Sequence, residues 1–156
     1  MLEELYREVI LDHYKSPRNK GPLAGADASV HLHNPLCGDE ITLALAVEGE
    51  TIREARFTGQ GCSISQASAS MMTEALRGKT LAEAREMLQR FTRMVRGELA
   101  PEEADLGELE ALAGVSRFPV RVKCALLAWE ALDKDLAHLE EGGPAGSPAG
   151  EPGGRP

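Results

Sequence analysis

Aromatic side chains are scarce: one Trp, two Tyr and three Phe make up 4% of the 156 residues, while 42% of the chain is hydrophobic. Its core must rest mainly on aliphatic packing, and the length suits one domain rather than two. Long apolar runs are missing as well. No stretch approaches the ~20 residues that span a bilayer, and the opening Met1-Leu2-Glu3-Glu4-Leu5 carries no basic-then-apolar leader pattern. The expectation is a cytoplasmic chain without a membrane partner. Basic excess is also lacking: a formal net charge of −8 argues against phosphate-backbone binding, so no nucleic-acid partner is expected. Cysteine is limited to Cys37, Cys62 and Cys124. Three thiols so far apart do not read as a disulfide framework, and a reducing compartment would not keep one. Metal binding or thiol chemistry becomes the better expectation.

What is present centres on Cys37-Gly38-Asp39. In extended backbone, side chains two apart project to the same side, so Cys37 and Asp39 can reach one ion together. Gly38 between them permits a sharp turn. Three thiols and one carboxylate make a donor set for a four-coordinate metal. Taken singly, Cys62 and Cys124 also suit ordinary buried positions. What favours a shared site is that one follows Gly59-Gln60-Gly61 and the other opens a long helical pattern.

Leu2, Leu5, Val9 and Ile10 recur at helical spacing, predicting an amphipathic helix over residues 2 to about 15, ended by Ser16-Pro17. Alternation predicts three strands: Ser29 to His33, then the run of Ile41, Leu43, Leu45 and Val47, then Thr51 to Thr58. Their short links imply an antiparallel meander. His31 and His33 fall on the polar face of the first strand and read as solvated rather than ligating.

Gly59 and Gly61 are expected to end the third strand, with Ser63 or Ser65 capping a helix that Gly78 closes. Cys62 would then sit at a helix start, a setting that favours negative charge. Thr80 and Glu83 predict a capping box opening a helix to about Val95 that buries Leu81, Met87, Leu88 and Phe91. The acidic stretch from residue 97 to about 114 reads as a short helical excursion outside the core. Pro119 opens a last helix whose stripe is Ala125, Trp129, Leu132, Leu136 and Leu139. Residues 142–156, rich in Gly, Pro and Ala, are expected to form a disordered tail after a domain of residues 1–141.

Three separated segments resemble the IscU, SufU and NifU N-terminal family of iron-sulfur cluster assembly proteins. They are Pro35-Leu36-Cys37-Gly38-Asp39, Thr58-Gly59-Gln60-Gly61-Cys62-Ser63-Ile64-Ser65-Gln66-Ala67-Ser68-Ala69-Ser70 and Pro119-Val120-Arg121-Val122-Lys123-Cys124-Ala125. The opening Leu5-Tyr6-Arg7 to Asp12-His13-Tyr14-Lys15-Ser16-Pro17-Arg18-Asn19 run is similar too. The resemblance implies an α+β fold, a three-stranded antiparallel sheet packed against helices. It places Cys37, Asp39, Cys62 and Cys124 at the family's ligand positions, with the three thiols also candidates for holding a nascent cluster.

Housekeeping scaffolds of the family carry histidine immediately before the third cysteine, where this chain has Lys123. Phe118-Pro119-Val120-Arg121-Val122-Lys123 also replaces the Leu-Pro-Pro-Val-Lys chaperone motif. Together with the insertion near residues 97–117, these departures resemble the SufU branch. That implies tight zinc binding and sulfur taken from a SufS-type cysteine desulfurase. It also implies a transient [2Fe-2S] or [4Fe-4S] cluster as cargo for apo iron-sulfur proteins.

Cys37, in a glycine-containing loop, is the expected sulfur acceptor, because attack on a persulfide needs a deprotonated thiol able to move. Asp39, the hardest donor, is the one expected to yield its place. Lys123 reads either as a charge that stabilises sulfur anions or as a solvated helix residue. No turnover beyond a sulfurtransferase-like step is expected. Two other classes remain: a zinc-binding interaction module without sulfur transfer, and a thiol hydrolase pairing Cys37 with His31 or His33. The latter lacks a group to orient the base.

Overall fold

The structure, a computed structural model, describes residues 2–35 and 38–142, with side chains from Tyr6 to Glu141. Helix α1 (Leu2–Lys15) leads to strands β1 (Ala28–Asn34), β2 (Asp39–Glu48) and β3 (Thr51–Gln60). Helices α2 (Ser63–Leu76), α3 (Leu81–Val95) and α4 (Pro101–Ala104) follow. A 3-10 helix (Gly107–Arg117) and α5 (Pro119–Gly142) complete the chain. The strands form the expected antiparallel meander in the order β1-β2-β3. Ile41, Leu43 and Leu45 alternate onto a fully buried face, with Leu43 opposite Phe57 and Leu45 opposite Ala55 across β3. Such cross-strand pairs are the unit of sheet stability. Helix α5 packs against β1, β2 and α2 and closes this face.

β3 continues two residues past the expected end, through Gly59, which pairs with Ile41. The reason is close backbone approach. A Cβ on Gly59 would stand 2.1 Å from the Glu40 carbonyl oxygen, so glycine extends the strand here rather than breaking it.

The capping box at Thr80 is present: the Glu83 N–H donates to Thr80 Oγ1 (3.0 Å) and the Thr80 N–H donates to Glu83 Oε1 (2.9 Å). Met87, Leu88 and Phe91 are buried as expected, whereas Leu81 is only half-buried. The Phe91 ring stacks on Trp129, with centroids 4.4 Å apart.

The acidic insertion departs from the sequence reading. Rather than lying outside the core, it buries Ala104, Leu106, Leu109, Ala111, Leu112 and Val115 and packs against α1, α3 and α5. Its charges obscure an apolar stripe that a 3-10 helix turns inward. A polar bond fixes it further. His13, 1% exposed, lies with Nδ1 2.8 Å from Ser70 Oγ and Nε2 2.9 Å from Glu108 Oε1. The Glu108 carboxylate can only accept, so His13 Nε2–H donates to it, and in the neutral ring Nδ1 then accepts from the Ser70 hydroxyl, which itself accepts the Arg18 N–H.

Beyond Gly142, the expected tail lies outside the described residues. Among the described residues, no helix is long and apolar enough to cross a membrane.

Candidate metal centre

β2 begins at Asp39, and its register places that residue at the end of the sheet opposite Asn34. One strand away, Gly61 leads into Cys62, which occupies the N-cap position of α2. Neither Ser63 nor Ser65 caps the helix. Cys62 makes no side-chain cap bond; instead, Asp39 Oδ1 accepts the Cys62 N–H at 2.8 Å. An orphan donor of the helix start is thereby satisfied by a carboxylate from the neighbouring strand. The other oxygen, Oδ2, accepts from Cys62 Sγ at 3.8 Å. Asp39 is fully buried, and Gly61 makes its place possible: a Cβ there would stand 2.1 Å from Asp39 Oδ1.

Cys124, 2% exposed, comes from the second turn of α5. Donor atoms of Asp39, Cys62 and Cys124 all lie within 4.8 Å of one another. With Zn–S bonds of ~2.3 Å and Zn–O bonds of ~2.1 Å, a tetrahedral sulfur and oxygen stand about 3.6 Å apart. The Cys62–Asp39 separation of 3.8 Å is close to that edge, and the donor set of thiols and carboxylate suits the same metal. These residues therefore fit zinc. Cys37, the fourth expected ligand, lies outside the described residues.

His31 and His33 stay on the exposed face of β1, as expected. His31 Nδ1 lies 2.7 Å from Thr42 Oγ1, away from the thiols' donor set. Lys123 is exposed beside Cys124.

The model of the NifU-like N terminal domain family matches residues 5–137. The chain belongs to this family. Among NifU-like relatives, the zinc-dependent sulfurtransferase SufU of Bacillus subtilis (strain 168) is 51% identical over 142 residues, which cover 91% of this chain and 95% of that protein. An iron-sulfur cluster assembly scaffold protein IscU from Streptococcus pyogenes serotype M1 is 47% identical over 84% of this chain and 82% of its own. The NifU-like fold is matched in a crystal structure from Fervidobacterium islandicum AW-1, described as a putative SUF-system scaffold. It has a TM-score of 0.78 and 38% identity, over 83% of this chain and 94% of that one.

Sequence reading missed the buried polar bonds of α2, in which Ser68 donates to the Ala125 carbonyl of α5 and Ser70 bonds His13 of α1. The signal for Ser68 was available as a run of small polar residues in α2, where Ser65, Gln66, Ser68, Ser70 and Thr73 are all buried. Polar groups spaced for a core-facing helix require buried partners.

Proposed function

We propose that this protein is a zinc-holding sulfur acceptor of iron-sulfur cluster assembly. It takes sulfur from a SufS-type cysteine desulfurase through Cys37 and passes it toward a [2Fe-2S] or [4Fe-4S] cluster for apo iron-sulfur proteins. Convergence of the Asp39, Cys62 and Cys124 donors within 4.8 Å carries this reading. The names of the B. subtilis and S. pyogenes relatives support it over a purely structural zinc module. Residues 1–141 form the assembly domain in this reading, and the cytoplasm is the compartment that keeps its thiols reduced.

When bound, zinc holds thiolates without redox change. Asp39 anchors the site through the Cys62 amide, and Cys62 and Cys124 supply sulfur from two helices. The Cys37 thiolate attacks the outer sulfur of the donor's persulfide. One S–S bond forms on Cys37 while the donor's S–S bond breaks, and the donor cysteine leaves as thiolate with the electron pair.

A surface beside the centre suits the donor. The four exposed large hydrophobics among the described residues are Leu11, Tyr14, Phe118 and Val120. Leu11 and Phe118 line a groove of about 660 Å³ with Ile64, Arg7, Arg117 and Arg121. The three arginines give an acidic chain a local positive face, suited to an acidic, apolar segment of the desulfurase.

Anaerobic mixing with the cysteine desulfurase of the same genome tests the function. Mass spectrometry of each cysteine should find added sulfur on Cys37, with zinc retained by metal analysis. Iron and sulfide bound in stoichiometric amounts, without persulfide on any thiol, would overturn the acceptor role in favour of a scaffold.

A further inference from the structure

Cys62 and Cys124 sit on different helices, so their spacing depends on how α2 and α5 are held together near the centre. Two carbon surfaces in contact can slide, because dispersion has little directional preference. Hydrogen bonds at fixed positions cannot. Ser68, fully buried six residues into α2 from Cys62, donates its hydroxyl to the Ala125 carbonyl oxygen at 2.8 Å. The same oxygen of Ser68 accepts the indole N–H of Trp129 at 3.0 Å. Ala125 directly follows Cys124, and Trp129 lies one helical turn further along α5. The chain Trp129 Nε1–H to Ser68 Oγ–H to the Ala125 carbonyl therefore pins the helix carrying one thiol to the helix carrying the other. Trp129 is immobilised in turn by its stack on Phe91.

We propose that Ser68 is a positioning residue for the metal centre, setting the separation of the Cys62 and Cys124 sulfurs through this relay. The inference rests on the metal-holding reading above. It also makes Trp129, the chain's one tryptophan, an optical reporter of that centre, since displacing the relay changes the indole's hydrogen bond. Partners hydrogen-bonded directly to metal ligands commonly govern affinity by about 10–100-fold, and Ser68, acting one residue removed through the Ala125 carbonyl, should fall at the low end of that range.

The test uses the full chain loaded with cobalt(II) or zinc, in the parent, Ser68→Ala, Ser68→Thr and Trp129→Phe proteins. Ser68→Ala should release metal to a chelator about 10-fold faster, with altered visible cobalt bands and a shifted Trp129 emission. Ser68→Thr, which keeps the hydroxyl, should restore the cobalt spectrum. Trp129→Phe keeps the Ser68–Ala125 bond and should give a smaller acceleration. Should Ser68→Ala fail to fold, the ordering of Ser68→Thr and Trp129→Phe relative to the parent decides the matter.

Cobalt spectra and release rates within about twofold of the parent in every variant that folds would overturn the proposal, even if unfolding midpoints fall. A parent that binds cobalt without a thiolate charge-transfer band would instead sink the metal-holding reading itself.

Discussion

Replacing Gly61 by alanine perturbs the candidate centre while leaving every donor residue in place. Gly61 has φ +153°, a region that side-chain-bearing residues rarely adopt, and its added Cβ would meet Asp39 Oδ1 at 2.1 Å and Ser65 Oγ at 2.8 Å. To open that first contact beyond 3.0 Å, the carboxylate has to retreat by about 1 Å, a large move in a close-packed interior. Asp39 is fully buried and bonded to the Cys62 amide, so it cannot swing into solvent without surrendering that bond. Backbone strain of about 1–3 kcal/mol adds to loss of a helix cap, about 0.5–2 kcal/mol. The expected destabilisation is about 1.5–5 kcal/mol, a large part of an ordinary domain's stability. Urea denaturation of metal-free protein reads this directly, and chelator competition should show zinc held about 10–100-fold more weakly. A Gly61→Ala protein within about 0.5 kcal/mol of its parent, with unchanged zinc affinity, would refute the account of Asp39 as a pinned cap and ligand.

Two further outcomes follow from groups away from the centre. Asp135 is fully buried on α5 with neither carboxylate oxygen hydrogen-bonded, and burial pushes its carboxyl well above the usual 3.8. The folded state then binds a proton more tightly than the unfolded one, so stability is lost as pH rises from about 4 toward neutrality. Metal-free Asp135→Asn should match its parent near pH 4 and become progressively the more stable of the two as pH rises; a gap that does not grow with pH contradicts this. Thr80→Ala removes the capping box of α3 and should cost about 1 kcal/mol in chemical denaturation. Zinc affinity should stay unchanged, since α3 supplies none of the donors.

The sequence by itself determined the local elements. Alternation at Ile41, Leu43, Leu45 and Val47, helical spacing at Leu5, Val9 and Ile10, and Thr80 paired with Glu83 act between near neighbours, so they are legible without a fold. Motifs around Cys37, Cys62 and Cys124 made the family recognisable for the same reason. Tertiary structure decided the rest. Asp39 and Cys62 meet because β2 and β3 pair through Gly59 and Gln60 and Gly61 leaves room for the Asp39 carboxylate, and Cys124 joins them only because α5 packs on the sheet and α2. The insertion enters the core for an equally non-local reason, the burial of Leu106, Leu109, Leu112 and Val115 against distant helices, which the bond from His13 to Glu108 across 95 residues fixes further. Distances between groups so far apart in sequence are set by packed surfaces and buried hydrogen bonds, which no window of neighbouring residues encodes.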